Sequence, residues 1–534
     1  MAVIDNSTYL DFTAYGRSSP NATVQQAFDL KEVHVAPTGV GINVAITLDR
    51  ANDPTDLLAG TWAERQSTLA SMTSAELWKT YGTCASTYEA VTDYLTTNGY
   101  TILGDDRALG NYVSSAESRT IWVQLDPTQF QALFDTQLML AGPINDYDFL
   151  YWNGDLSLPD EIADYLDGLW FDAGYGPNAV NQAGTASATL DQKSQSIGNS
   201  TTTYNGLTPQ QIAELYNFPL DGQAVQTGVI GFVEPGIGTK IPGSTSFQDE
   251  LDIYLAMIGR TGTGLVYTQG ADGQAYNSDD GGERSLDIGV GAAVNPNSTI
   301  IAYTGSGKRG FAESTTYTGY QSAIWESGAG VPGGATPSVI SSSWGDNQNP
   351  SPDSPFHRAY SQLFVDAALR NQTVLTALGD GGSGNETSSG LTSISSPHAS
   401  PYGLLVGGTS VSTGVTAASD TTLTTMVSAA ANGDLQTIWQ LMGAGLKSAP
   451  QNVGDLSVFV ETVWNTYNVE GQHIGSTNKI FEAGYLVNST TSGGVDTTQG
   501  TPSYQAAFGL SPTTVDTGLT GRGAPDIAAD AGGN

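Results

Sequence analysis

Glu283 and Asp287 stand four residues apart in Gly282-Glu283-Arg284-Ser285-Leu286-Asp287-Ile288, and that spacing offers acid–base chemistry in a chain with almost no histidine. Four histidines serve all 534 residues, and none adjoins an evident nucleophile or metal-ligand cluster. A helix would place both carboxyls on one face. Such a pair can share a proton, or one member can orient the other as a base. The plainer alternative is two acids on a solvated helix face.

The elements around the pair read as short apolar strands separated by amphipathic helices. Val229-Ile230-Gly231-Phe232-Val233 precedes a helix carrying Phe247, Leu251, Leu255 and Ile258. Ile300-Ile301-Ala302-Tyr303 follows the acid-pair helix, and Ser338-Val339-Ile340 precedes a helix carrying Leu363, Phe364, Ala367 and Ala368. Val374-Leu375-Thr376-Ala377 and Leu404-Leu405-Val406 continue the pattern. Fully apolar strands alternating with helices predict a parallel sheet covered on both faces, with a site at the strands' carboxyl ends. Trp344 and Asp380 each fall just past such a strand.

Residues 1–175 read as a separate α+β unit. Ile42–Leu48 alternates as a strand. Thr73-Ser74-Ala75-Glu76 and Ser86-Thr87-Tyr88-Glu89 each spell a capping box, and the second helix presents Val91 and Leu95 before stopping at Asn98-Gly99. Tyr100–Leu103 and Ile121–Leu125 are further strands, and Asp126-Pro127 opens a helix with Phe130, Leu133 and Phe134. This order predicts a split βαβ sandwich. Residues 176–204 turn rich in Gly, Ser, Thr, Asn and Gln, the composition of a linker and of an exposed processing site. Thr208-Pro209 then caps a helix through Leu215 and Tyr216. Residues 411–480 are expected to carry helices near Leu435 to Met442 and around Val458 to Trp464.

The net charge of −35 comes from an ordinary count of 53 acids against only 18 Lys plus Arg. Few cations limit the positive charge gained when carboxylates protonate, which lowers self-repulsion in acid; lineage bias, salt adaptation included, would leave the same imbalance. Nucleic acid and anionic membrane surfaces are disfavoured as partners, since both need basic patches. No apolar run of spanning length occurs. Cys84 is the single cysteine, so no internal disulfide or zinc–thiolate site is expected, and it reads as a small buried loop residue. Seven Asn-x-Ser/Thr acceptors occur, Asn6, Asn199 and Asn488 among them, in a chain rich enough in Ser and Thr to produce them by chance. Asp272, Asp279 and Asp280 lack EF-hand spacing and read as a solvated loop.

The order of motifs resembles the sedolisin peptidases, the serine-carboxyl family, over nearly the whole chain. It runs through the acid pair, Val339-Ile340-Ser341-Ser342-Ser343-Trp344-Gly345, Leu378-Gly379-Asp380-Gly381-Gly382-Ser383, and Ser396-Pro397-His398-Ala399-Ser400-Pro401-Tyr402 followed by Leu404-Leu405-Val406-Gly407-Gly408-Thr409. Val463-Trp464-Asn465, Ser492-Gly493-Gly494-Val495 and Gly521-Arg522-Gly523-Ala524-Pro525-Asp526-Ile527-Ala528-Ala529-Asp530 complete it. The resemblance implies an α/β fold with a subtilisin-like catalytic domain over 205–534, preceded by a ferredoxin-like activation propeptide over 1–175. It implies Glu283 as base, Asp287 as its positioning partner, Asp380 as the acid on the oxyanion side, and Trp344 beside the substrate groove. Asp526 and Asp530 read as loop-fixing acids.

One departure matters. The family's nucleophilic serine sits in a Gly-Thr-Ser segment downstream of the Arg-Gly-x-Pro-Asp stretch, and this sequence ends at Asn534. Gly407-Gly408-Thr409-Ser410 spells those letters at a core strand, so Ser410 is expected to be structural. The nucleophile and the family's calcium ligands are expected beyond Asn534, and a secretory leader before Met1. The implied function is a secreted, acid-acting endopeptidase that cleaves polypeptides and carries its propeptide as an intramolecular inhibitor. Two alternatives stay open: a non-catalytic binding or inhibitory module on the same fold, and a subtilisin-like enzyme with His357 or His398 as base.

Overall fold

A computed structural model describes residues 1–9, 33–104, 112–144, 147–172, 207–218, 228–234, 239–240, 247–260, 265–269, 275–276, 282–306, 315–325, 331–346, 353–379, 400–418, 421–443, 451–464, 491–514 and 517–531. The first unit is built on β1 (Ile42–Leu48), helices α1 (Trp62–Ala70), α2 (Ser74–Tyr81) and α3 (Ala85–Thr97), β2 (Thr101–Leu103), β3 (Thr120–Leu125), α4 (Pro127–Phe134) and β4 (Leu166–Asp172). Its sheet runs β2-β3-β1-β4 with every neighbour antiparallel. That is the ferredoxin-like split βαβ order read from the sequence. Asp126 caps α4 through Gln129 and Thr73 caps α2 through Glu76, each in a reciprocal box.

Two local readings of this unit are corrected. Helix α3 begins at Ala85 with Cys84 as its N-cap and no side-chain cap bond, so the Ser86 box does not form. Ser86 is already inside the first turn, where its backbone is helical and cannot serve as a cap. Cys84 is exposed rather than buried, because a residue leading into a surface helix faces solvent.

The second unit comprises α5 (Pro209–Leu215), β5 (Val229–Val233), α6 (Phe247–Met257), β6 (Leu265–Gln269), α7 (Gly282–Val294), β7 (Thr299–Tyr303), α8 (Thr315–Trp325), β8 (Val339–Ser342), α9 (Pro355–Leu369), β9 (Thr373–Ala377) and β10 (Leu404–Thr413). It continues with α10 (Thr421–Ala431), α11 (Leu435–Gly443), β11 (Val458–Val463) and β12 (Ile527–Asp530). Its sheet runs β6-β7-β5-β8-β9-β10-β11, with β12 also on β10. All pairs are parallel except β10 with β11. The α/β class and the helix-covered sheet thus match the sequence reading. Alternation along the strands sorts the two faces: Phe232, Ile300 and Ala302 meet α6 and α7, whereas Val233, Ile301, Tyr303 and Ile340 join the core under α8 and α9.

The expected helix at Val458 to Trp464 is instead strand β11, paired antiparallel from Thr409 to Thr413. Val458, Val460, Thr462 and Val463 are β-branched, which favours a half-buried pleat over a helix. The helix at Leu435 does form, as α11.

Helix α9 is buried on nearly every side because it lies between the sheet and the first unit. Trp170 of β4 stacks on Tyr317 at 4.9 Å and 19° and meets Phe356 and Tyr360 edge-on. The Trp122 indole donates to Gln321 Oε1 at 2.8 Å, and Trp78 packs on Trp325. Arg50 Nη2 donates to Asp366 Oδ1 at 2.6 Å, with Arg119 Nη2 at 3.6 Å from Asp366 Oδ2, all three side chains being buried. A single hydrophobic core therefore runs through both units. Gly168 of β4 lies tight against α9: a Cβ there would fall 2.7 Å from Ala359 N and 2.9 Å from its Cα. Backbone atoms cannot swing aside, so Gly168→Ala is expected to cost about 1–3 kcal/mol in urea unfolding. An unchanged midpoint would mean that β4 and α9 do not meet this closely.

Candidate active site

The parallel register brings the site together. Strands β5 and β8 are neighbours, with Phe232 opposite Ser341, so their carboxyl ends lie side by side although about a hundred residues separate them. Glu234 follows β5 and is fully buried; Ser343 and Trp344 follow β8. Helix α7 packs on the sheet face and carries the acid pair one turn apart, bringing Asp287 to Ser343.

Asp287 is held from two sides. Ser343 Oγ donates to its carboxyl oxygens at 2.8 and 3.0 Å, and a hydrogen bond joins its carboxyl to that of Glu234. Two acids can bond to each other only when one carries a proton. The Trp344 indole Nε1 donates to Glu234 Oε2 at 2.8 Å, and Ser342 Oγ accepts from Trp344 N at 3.1 Å, which fixes the turn. Tyr360 of α9 donates its hydroxyl to buried Asp346, pinning the segment just past Trp344. Burial pushes the Asp287 carboxyl above its ordinary value, against the hydrogen bonds from Ser343 and Glu234 that pull it down.

This shift has a sign in stability. A carboxyl whose folded pKa is raised is favoured in the fold when neutral. Its contribution is present below the unfolded value of about 4 and is lost as pH rises through the folded value. Asp287→Asn has no proton to lose, so its stability should fall less than wild type from about pH 4 upward. Urea midpoints across that range measure it, and parallel curves would contradict the burial.

The other sequence-read residues fall as follows. Glu283 lies on α7 one turn before Asp287, and its side chain is outside the described residues. Asp380 is also outside them. Its predecessor Gly379 lies two residues past β9 at φ +85°, and Gly379 O accepts from Ser492 N at 3.0 Å, so the Ser492 loop docks there. His398, Asp272, Asp279, Asp280 and the linker 176–204 are outside as well. His357 sits buried in the first turn of α9.

Ser410 is 7% exposed within β10, opposite Thr462 of β11. The glycines before it serve packing: a Cβ on Gly407 would fall 2.8 Å from the Pro525 ring, and one on Gly408 2.6 Å from Ala531 Cβ. Asp526 accepts from Leu405 N at 2.8 Å, Tyr504 OH at 2.9 Å and buried Arg522 at 3.0 Å. Asp530 Oδ1 accepts from Val411 N at 3.2 Å. Both acids tie the final segment to β10.

Glu234 was missed in the sequence reading. Its signal was an acid placed directly after an apolar strand, one residue past the Val229–Val233 run.

A protein from Bacillus sp. (strain MN-32) described as kumamolisin is 29% identical to this chain over 333 residues, which is 61% of this chain and 46% of that protein. The match spans less than half the length of that curated relative. No protein-family model matches the sequence. Among solved structures, Pseudomonas sedolisin, a serine-carboxyl proteinase complexed with two molecules of pseudo-iodotyrostatin, aligns with this chain at 18% identity and a TM-score of 0.38. That alignment covers 62% of this chain and 72% of that one. Among the described residues no group of three or more His, Cys, Asp or Glu side chains could hold a metal. No described helix is long and apolar enough to cross a membrane.

Proposed function

We propose that this protein hydrolyses peptide bonds by the serine-carboxyl mechanism, with Glu283 as general base, Asp287 as its positioning partner and Asp380 as the acid that donates a hydrogen bond to the developing oxyanion. The observation that carries the reading is the Asp287 cluster. A half-buried acid at the carboxyl end of a parallel sheet is held by Ser343 and by Glu234, which is itself held by Trp344. Such a chain of carboxyls does the orienting that an aspartate–histidine pair does elsewhere, and it keeps a proton where acid pH supplies one. Trp344, half-buried at the strand end, borders the substrate groove.

In this reading Ser410 holds the strand and is not the attacking serine. Residues 1–175 act as the propeptide, residues 176–204 hold the cut, and residues 205–534 form the peptidase domain. The protein is secreted and its substrates are polypeptides. Calcium belongs to the resemblance only; no described residues fit it and no step runs through it.

The test is hydrolysis of an unfolded protein by the gene product carried to its natural stop codon, across about pH 3 to 8. Activity is expected on the acid side, lost in Glu283→Gln and kept in His357→Ala and His398→Ala. Activity that depends on either histidine, or none at any pH, would overturn the reading.

A further inference from the structure

Ser343 is the first residue past β8, half-buried, and it turns two donors to one carboxyl. Its Oγ lies 2.8 Å from Asp287 Oδ2 and 3.0 Å from Oδ1, and its backbone N–H donates to the same group. The turn that aims them is braced, because Ser342 Oγ accepts from Trp344 N at 3.1 Å across Ser343.

Asp287 and Glu234 are joined through one proton, and their surroundings say which acid holds it. A neutral carboxyl gives one oxygen over to its own O–H, whereas a carboxylate accepts on both. Asp287 receives the Ser343 donors on one side and the bond from Glu234 on the other, which fits a carboxylate. Glu234 accepts the Trp344 indole on Oε2 at 2.8 Å and is fully buried, where an ionised acid is costly. Half-buried Asp287 is the better seat for the charge. Among the described residues, Tyr320 of α8 lies in the field of both Asp287 and Asp346, and burial pushes its hydroxyl well above the ordinary value, so it stays neutral. Glu283 stands one turn away on the same helix as Asp287.

We propose that Ser343 is a positioning residue of this cluster: its donors hold Asp287 as the carboxylate and leave the shared proton on Glu234. In the serine-carboxyl reading, a charged Asp287 is ready to accept from Glu283 once Glu283 has taken the proton of the attacking hydroxyl. The effect on rate rests on that reading; the placement of charge does not.

Urea unfolding of the 534-residue chain at about pH 3.5 and about pH 7 tests the placement, with wild type, Ser343→Ala, Asp287→Asn and the double variant. Losing the hydroxyl raises the folded pKa of Asp287 further. The cost of Ser343→Ala is therefore small below about pH 4 and grows as pH rises through the folded value. The growth expected is about tenfold in the unfolding constant, the equivalent of about one pKa unit. In the Asp287→Asn background Ser343→Ala should cost the same at both pH values, and Ser343→Thr, which keeps the hydroxyl, should follow wild type. In the gene product carried to its natural stop codon, Ser343→Ala should move the acid limb of the rate profile up by about one unit, with the loss on kcat and KM unchanged, and Ser343→Thr should restore it.

A serine that only braces the turn would cost the same at every pH. A pH-independent cost of Ser343→Ala, or an equal pH dependence without the Asp287 carboxyl, would overturn the proposal. A wild type that hydrolyses nothing would overturn the peptidase reading alone, since the unfolding cycle decides the charge without it.

Discussion

Asp287→Asn in the protein translated to its natural stop codon is expected to lower kcat/KM for acid hydrolysis by about 10³-fold or more, a loss of about 4 kcal/mol in transition-state stabilisation. The loss should fall on kcat, with KM little changed, if Asp287 acts through Glu283 as proposed and not on the substrate. An amide at 287 can still accept from Ser343, so the fold should survive. It cannot take up or release a proton, so it cannot share one with the neighbouring carboxyls as the base works. Trp344→Phe removes only the indole donor to Glu234, one hydrogen bond further out. It should cost about tenfold. A loss below tenfold for Asp287→Asn, or one confined to KM, would remove Asp287 from the mechanism.

The second large effect is on stability and lies at the seam. Asp366→Asn should destabilise the chain by about 3–5 kcal/mol, because it leaves Arg50 buried without its paired carboxylate and Arg119 with Asp167 alone. Urea unfolding measures it. Arg50→Met/Arg119→Leu/Asp366→Leu should recover much of the loss, since a buried ion group can be replaced by packed apolar side chains at little cost. A change below about 1 kcal/mol in the single variant would mean that the seam is solvated like a surface pair. The same helix, α9, carries Tyr360, whose hydroxyl holds Asp346 near the site, so docking of the first unit and order at the strand ends share one element.

Long apolar strands and reciprocal caps were legible because their signals are local. Ile42–Leu48, the Thr73 box and Asp126-Pro127 each state their conformation within a few residues. The strand β11 was misread for the same reason. Val463 finds its partner 54 residues upstream at Thr409, and local pattern says nothing of that pairing. Glu234 shows the limit at the site. Its role comes from β5 and β8 being neighbours in register, a tertiary fact, so the acid pair on α7 could be read from spacing while the acid that binds it could not. The seam was equally hidden, because Arg50 and Asp366 lie 316 residues apart.

The most direct test follows the protein expressed to its natural stop codon on a gel at about pH 4, where a carboxyl pair is poised to exchange a proton. Cleavage between about Gly176 and Asn205 in the wild type, and an intact chain in Glu283→Gln under the same conditions, is the predicted result. Cleavage that persists in Glu283→Gln, or a wild-type chain that stays whole and hydrolyses nothing, would contradict the serine-carboxyl reading.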